Sequence, residues 1–218
     1  MRDRPKMLRS LTEQWCGRGE NLVFVVGGEH KSGWFGATVG NAPEVPHSAP
    51  DDGLQPPWPQ VNPGLTAGEF LADEWVHDPA VWGWACADSP ERAAVRAGES
   101  LNAGKHFCWL VCTDQRFAVV VEADAQAEAR RQVEQAAESP GRLGGLFGRG
   151  KQREAPAHPL ETRWQYPLDQ GIDFSPAELG RAADPVEFVR VRFADDSTLD
   201  FRMLDAADLV ATVRKRLR

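Results

Sequence analysis

The stretch that most constrains this chain is VEFVRVRFADDSTLDFRML, residues 186–204, because apolar and polar residues alternate on both sides of a turn sequence. Successive side chains of an extended strand point to opposite faces, so this alternation places the apolar residues on one face. Those residues are Val189, Val191 and Phe193 before the turn, and Leu199, Phe201 and Met203 after it. With Asp195 and Asp196 at the turn, the pattern predicts an antiparallel β-hairpin with one buried face.

An amphipathic helix is predicted directly after this hairpin, over residues 205–218. Its apolar residues recur at helical spacing and form one stripe, which comprises Ala206, Leu209, Val210, Val213 and Leu217. Basic residues crowd the last turn, where cations suit the helix dipole, at Arg214, Lys215, Arg216 and Arg218. A hairpin followed by a helix with one apolar face indicates the α+β class.

Two further strands are predicted within CWLVCTDQRFAVVVE, residues 108–122. Cys108 and Cys112 would share a strand face with their Cα atoms about 13 Å apart, too far for a disulfide bond or one shared metal ion. Both cysteines are therefore predicted to be buried core thiols. Between the strands, Thr113 and Asp114 are expected to cap a tight turn through side-chain bonds to the backbone, and Arg116 to pair with a carboxylate.

The order of these elements resembles that of bacterial pleckstrin-homology-like domains. The matching positions are a T-D-x-R turn at Thr113, Asp114 and Arg116, a D-D-S turn at Asp195, Asp196 and Ser197, and a terminal helix from Asp205. The resemblance covers residues 98–123 and 162–218, and Asp196 stands where the family usually has glycine. It implies a partly open barrel capped by the C-terminal amphipathic helix. The alternative is another α+β fold with a strongly bent antiparallel sheet.

The resemblance divides the chain in two. Residues 1–90 would form an N-terminal elaboration with helices, short strands and a proline-rich loop over 41–64. Residues 91–218 would form the pleckstrin-homology-like domain, carrying a mobile insertion at about 125–160 that is rich in glycine and basic residues near its end.

Several shorter elements are predicted from local signals. Residues 21–28 form a short apolar run that predicts a buried strand, and residues 32–40 are a candidate to pair with it. Residues 88–100 predict a helix with Ser89 as its N-cap. The sequence S-P-A-E at 175–178 combines a capping box with proline at the first helical position, so it predicts another short helix.

Composition and charge exclude some classes of function. The net charge of −7 argues against general nucleic-acid binding, which usually requires a basic domain. No apolar run approaches the roughly 18 residues of a membrane-spanning helix, and the N-terminus shows no signal-peptide pattern, so a cytoplasmic location is expected. The four cysteines and five histidines show no metal-ligand spacing, and we predict no metal, no cofactor and no catalytic residue.

The segment 141–153 is the main candidate for function, because it reverses the sign of an otherwise acidic chain. The candidate binding residues are Arg142, Phe147, Arg149, Lys151 and Arg153. A basic segment with an aromatic residue is suited to an anionic membrane surface or to an acidic protein partner. A solvated loop with no binding role is the alternative.

The sequence therefore predicts a non-enzymatic binding or adaptor protein of the cytoplasm. A small enzyme or an accessory subunit with a cleft in the N-terminal part is the alternative. Trp75, Trp82 and Trp84, together with Trp58, are expected to form either an aromatic groove or a satellite hydrophobic core, and the second is favoured.

Overall fold

The computed structural model describes residues 4–27, 33–40, 42–44, 73–79, 81–104, 107–124, 127, 131, 159–180 and 184–217. Within these ranges the protein is α+β, with two sheets and three α-helices. The α-helices are α1 (Arg4–Ser10), α2 (Ala93–Gly104) and α3 (Ala206–Arg216). A π-helical turn continues α1 over Leu11–Trp15, and 3-10 turns lie at Glu74–His77 and Leu168–Gln170. No helix in the described ranges is long and apolar enough to cross a membrane.

The smaller sheet has four antiparallel strands in the order β1-β5-β6-β7. Their bounds are β1 Leu22–Gly27, β5 Cys108–Thr113, β6 Arg116–Glu122 and β7 Leu160–Pro167. The predicted strands on either side of Thr113 and Asp114 are confirmed as β5 and β6. Because the sheet begins with β1, a strand from the first 30 residues pairs directly with a strand of the C-terminal half.

The larger sheet has six strands in the order β3-β2-β4-β10-β9-β8. Their bounds are β2 Trp34–Val39, β3 Ala42–Glu44, β4 Val81–Ala87, β8 Ile172–Leu179, β9 Val186–Phe193 and β10 Thr198–Arg202. The pairing of β2 with β4 is parallel and the other pairings are antiparallel. The predicted hairpin is confirmed as β9 and β10, with Leu199 opposite Val191 and Phe201 opposite Val189.

The main core lies between the two sheets and is rich in aromatic rings. Phe117 of the smaller sheet packs edge-on against Phe174 of the larger one, with ring centroids 5.7 Å apart. Helix α2 lies between the sheets, since it contacts β5, β6 and β7 on one side and β2, β4 and β10 on the other. Its buried Asn102 donates to the carbonyl oxygen of Phe35 and accepts from the Phe35 N–H, both at 2.9 Å.

Helix α3 packs where β1 of one sheet approaches β8 of the other. Arg216 donates to the carbonyl oxygen of Leu22 at 2.8 Å, and Arg214 donates to that of Phe174 at 3.0 Å. These bonds satisfy backbone acceptors on two edge strands that would otherwise invite pairing with another chain. The predicted α+β class and C-terminal helix are confirmed. The described strands form two separate sheets, and hydrogen bonds do not close them into a barrel.

The outer face of each sheet has its own small apolar cluster. Met7 and Leu11 of the N-terminal helical segment are fully buried against the smaller sheet. On the larger sheet, Trp75 stacks on Trp84 with ring centroids 5.1 Å apart. Trp82 instead faces the main core, so two of the three predicted tryptophans form a satellite core, while Trp58 lies outside the described residues.

Two predictions from local signals are wrong. The capping-box sequence at 175–178 does not begin a helix, because it lies inside β8, which pairs with β9 along its whole length. Pro176 is tolerated there because β8 is an edge strand and one side of its backbone needs no ladder partner. Likewise β2 does not pair with β1, since it lies in the other sheet beside β4.

The predicted N-cap of α2 is also wrong. The cap is supplied by the β9–β10 turn, where Asp195 Oδ2 accepts from the Ala93 N–H at 2.8 Å and Ser197 Oγ accepts from the Ala94 N–H at 3.1 Å. Asp195 Oδ1 also accepts from the Ser197 hydroxyl at 2.6 Å. The D-D-S turn is thus a helix cap that acts across about a hundred residues of sequence.

Asp196, the central residue of this turn, has a left-handed backbone with φ of 64°. This conformation strains residues with a Cβ atom, and glycine adopts it freely. We expect Asp196→Gly to raise the free energy of unfolding by about 0.5–1 kcal/mol in urea denaturation. The control Asp196→Ala should be less stable than the wild type, because alanine tolerates this region less well than aspartate. A glycine variant less stable than the wild type would show that the aspartate side chain has a role of its own.

Candidate binding cleft

The turn between β5 and β6 is held by Thr113, as predicted. Its Oγ1 accepts from the N–H groups of Gln115 and Arg116, at 3.2 and 3.0 Å. The Asp114 carboxylate does not cap its own turn and instead accepts from the backbone N–H and the side-chain amide of Asn21, at 3.0 and 2.7 Å. These bonds with Asn21 hold the pKa of Asp114 below its usual range.

Arg116 pairs with Glu20, which confirms the predicted carboxylate partner. Its Nε and Nη2 donate to the two oxygens of Glu20 at 2.8 and 3.0 Å, and the Glu20 side chain is 3% exposed. The guanidinium also lies over the ring of Trp15, 4.0 Å from its centroid. Burial acts to raise the pKa of Glu20, but the bonds from Arg116, Gly17 and Thr113 outweigh it and the pKa is lowered. This constellation therefore ties the N-terminal segment to the smaller sheet.

The predicted core thiols are confirmed. Cys108 and Cys112 are free and buried on the inner face of β5, and burial raises the pKa of each to about 12. Cys86 is exposed beside a groove of about 450 Å³, and desolvation raises its pKa too, so all three are protonated near neutral pH. The described residues contain no cluster of histidine, cysteine or carboxylate side chains that could hold a metal ion.

A larger cleft of about 780 Å³ opens between β7, the start of α2 and the β9–β10 turn. Helix α2 and the edge strand β7 both contribute to its lining. Its lining is Glu91, Ala93, Arg96, Arg116, Thr162, Arg163, Trp164, Gln165 and Asp195. The described residues place no strand beside the outer edge of β7, so one side of its backbone ladder faces this region.

The charged side chains that line this cleft differ in whether they already make ion pairs or hydrogen bonds within the protein. Arg116 is neutralised by Glu20, and Asp195 is occupied in capping α2. Arg96 is exposed on α2, and none of the described carboxylates lies within ion-pair distance of it. Arg163 is half-exposed, with one weak contact of 3.5 Å to the exposed Glu161. Exposed pairs of this kind contribute little, so both arginines are available to a ligand.

Arg163 lies at an irregularity of the β6–β7 ladder. Val119 is opposite Trp164 and Val120 is opposite Thr162, so Arg163 has no register partner. An extra residue of this kind bends a strand and redirects a side chain, and it also discourages a new strand from pairing along the edge. The arrangement presents a guanidinium to the cleft and disfavours a continuous extension of the sheet.

The binding residues predicted from sequence, Arg142, Phe147, Arg149, Lys151 and Arg153, lie outside the described residues. The same is true of most of the 41–64 loop and of the 125–160 insertion. The attachment points of the insertion are described: Glu122 ends β6, Leu160 begins β7, and the two are register partners. Arg96 and Arg163 were missed, because they lie 67 positions apart and neither stands in a recognisable pattern.

In comparisons with known proteins, no family model, no curated protein and no solved structure matches the chain.

Proposed function

We propose that this protein is a non-enzymatic adaptor of the cytoplasm that binds an acidic segment of a partner protein. The observation that carries the proposal is the pair of available arginines, Arg96 of α2 and Arg163 of β7, which both line one open cleft. Exposed cations facing one cleft favour a partner of opposite charge, both by attraction on approach and by pairing in the complex. The charged side chains of the two turns are already bonded within the fold: Arg116 pairs with Glu20, and Asp195 caps α2.

The basic segment 141–153 supports the same proposal through its attachment. Arg153 precedes the start of β7 by seven residues, which span at most about 25 Å when extended. Thr162, the first cleft residue on β7, lies two residues after Leu160, or about 7 Å along the strand. The segment is therefore joined by a short linker to the strand that lines the cleft, so one acidic partner can contact both the cleft and Arg153, the cation of the segment nearest to it in sequence.

We also propose a relationship to pleckstrin-homology-like domains. Three features support it: the antiparallel run β5-β6-β7, the antiparallel run β8-β9-β10, and the helix α3 between the sheets at the end of the chain. Strand β1 adds a fourth strand to the first run. Strands β2, β3 and β4, from the N-terminal elaboration, would then be additions to this domain.

Neutralising the basic segment is expected to weaken binding of an acidic peptide by about tenfold or more at low salt. The variant combines Arg142→Gln, Arg149→Gln, Lys151→Gln and Arg153→Gln. Its physical reason is the loss of four attractive charges near the bound peptide, and the measurement is fluorescence anisotropy with a labelled short poly-glutamate peptide. Raising the salt concentration should weaken binding of the wild type in the same direction.

A second quadruple variant controls for net charge. It combines the exposed residues Arg9→Gln, Arg18→Gln, Arg192→Gln and Lys215→Gln and removes the same total charge outside the insertion. This control should keep most of the affinity. Vesicles containing anionic lipid provide the other comparison: binding to vesicles together with no binding of the peptide would contradict the proposed protein partner and indicate a membrane surface.

A further inference from the structure

We infer that an extended acidic peptide binds in the cleft between α2 and β7, with separate carboxylates paired to Arg96 and Arg163. This inference rests on the proposed function and assigns its binding site to described residues. The two arginines come from a helix and from an edge strand and line the same cleft, so a ligand that contacts both needs more than one anionic group. An extended segment with several carboxylates meets that requirement.

The remaining lining residues are suited to a peptide. Thr162 and Gln165 are exposed, and each already accepts one hydrogen bond, Thr162 Oγ1 from Trp15 at 2.9 Å and Gln165 Oε1 from Arg116 at 2.8 Å. The Thr162 hydroxyl proton and the Gln165 amide N–H groups can therefore donate to backbone carbonyl oxygens of the peptide. Trp164 is half-buried between them, and its ring packs edge-on against Phe117 and Phe193, with centroids 6.1 and 5.8 Å away. The core thus holds this lining ring in a fixed orientation, and its exposed part offers the peptide an apolar contact.

The geometry fits a protein segment better than a lipid surface. Membrane-binding sites usually combine cations with protruding apolar side chains that enter the bilayer. Among the described residues, the exposed large apolar side chains are Leu8 and Leu204, and neither lines the cleft. The arginines instead border a recess between a helix and a sheet edge.

Two carboxylates oppose the peptide and tune its affinity. Glu91 is exposed, lines the cleft and repels an acidic ligand. Glu161 lies 3.5 Å from Arg163, so an incoming carboxylate must compete with it. Removing either carboxylate should therefore increase the affinity of the cleft for an acidic segment.

The test measures poly-glutamate binding by anisotropy at low salt for single and double variants. We expect Arg96→Ala and Arg163→Ala each to weaken binding by about threefold, and the double variant by about tenfold. Glu91→Gln and Glu161→Gln should each tighten binding by about twofold. All these side chains are exposed, so the urea midpoints should match that of the wild type.

Arg192→Ala is the matched control, since Arg192 is an exposed strand arginine of β9 that does not line the cleft. It should leave binding unchanged, and an equal loss in this control would overturn the inference by showing a general charge effect. A different result is that the Arg96/Arg163 double variant binds poly-glutamate as tightly as the wild type while the basic-segment variant binds it weakly. That result would overturn the assignment of the binding site to the cleft and leave the proposed function standing. No binding of poly-glutamate by the wild type would overturn both.

Discussion

Replacing Asn102 with leucine is expected to lower the free energy of unfolding by about 3–4 kcal/mol, although the two side chains are similar in size. Asn102 is 5% exposed, and its amide pairs with both backbone groups of Phe35, which is itself 2% exposed. Leucine would leave a buried N–H and a buried carbonyl without partners, and each such group costs about 1–3 kcal/mol. Urea denaturation followed by tryptophan fluorescence measures the change.

The control for this substitution is Glu99→Leu, at an exposed position of the same helix. It tests whether a leucine side chain by itself disturbs α2, and we expect it to change the free energy of unfolding by about 0.5 kcal/mol or less. If the Asn102 variant were as stable as this control, the two bonds to Phe35 would contribute nothing net. The expected loss would also affect function, because Asn102 fixes the helix that presents Arg96 to the cleft.

Replacing Glu20 with glutamine is expected to destabilise the protein by about 2–4 kcal/mol at neutral pH. Both oxygens of Glu20 accept hydrogen bonds: Oε1 from Thr113 and Arg116, and Oε2 from Arg116 and Gly17. A glutamine amide turns one acceptor into a donor that faces other donors, and it leaves the Arg116 charge without its partner. Glu13→Gln, at an exposed position of the preceding helical turn, should change stability by about 0.5 kcal/mol or less.

The pH dependence of stability gives a second measure of the same pair. The folded protein lowers the pKa of Glu20, so the carboxylate contributes stability above its unfolded pKa of about 4.3, and loses it as the pH falls through the folded value. Asp114 and Asp195 act with the same sign. Wild-type stability should therefore decrease from about pH 5 downward, and the Glu20→Gln variant should decrease less steeply. Parallel profiles for the two proteins would contradict this assignment.

The parts of the fold that were predictable from sequence are those set by local periodicity. Alternation over Val189, Val191 and Phe193 predicts β9 because the repeat of a strand is visible in the order of residues. The stripe from Ala206 to Val213 predicts α3 for the same reason. In β8 the local signal failed, because pairing with β9 outweighed the helix-start preference of Ser175 and Pro176.

The candidate cleft was not predictable, because its walls come from distant parts of the chain. Glu91 precedes α2 and Arg96 lies in its first turn, whereas Thr162 and Arg163 belong to β7. Neither set forms a pattern, and only the packing of α2 between the sheets brings them together. The pairing partner of each strand was not predictable from sequence either. The apolar run of β2 predicts a strand, but its sequence does not indicate that the strand pairs with β4 rather than with β1.

The cap that the β9–β10 turn places on α2 has a consequence for synthesis of the chain on the ribosome. Helix α2 and strands β2 and β4 are made first, but the helix is not capped and the larger sheet is not completed until residues 195–202 have emerged. Structure with such distant contacts forms slowly and late. The nascent first half should therefore remain incompletely folded, and a chain terminated before β9 should be degraded or held by chaperones.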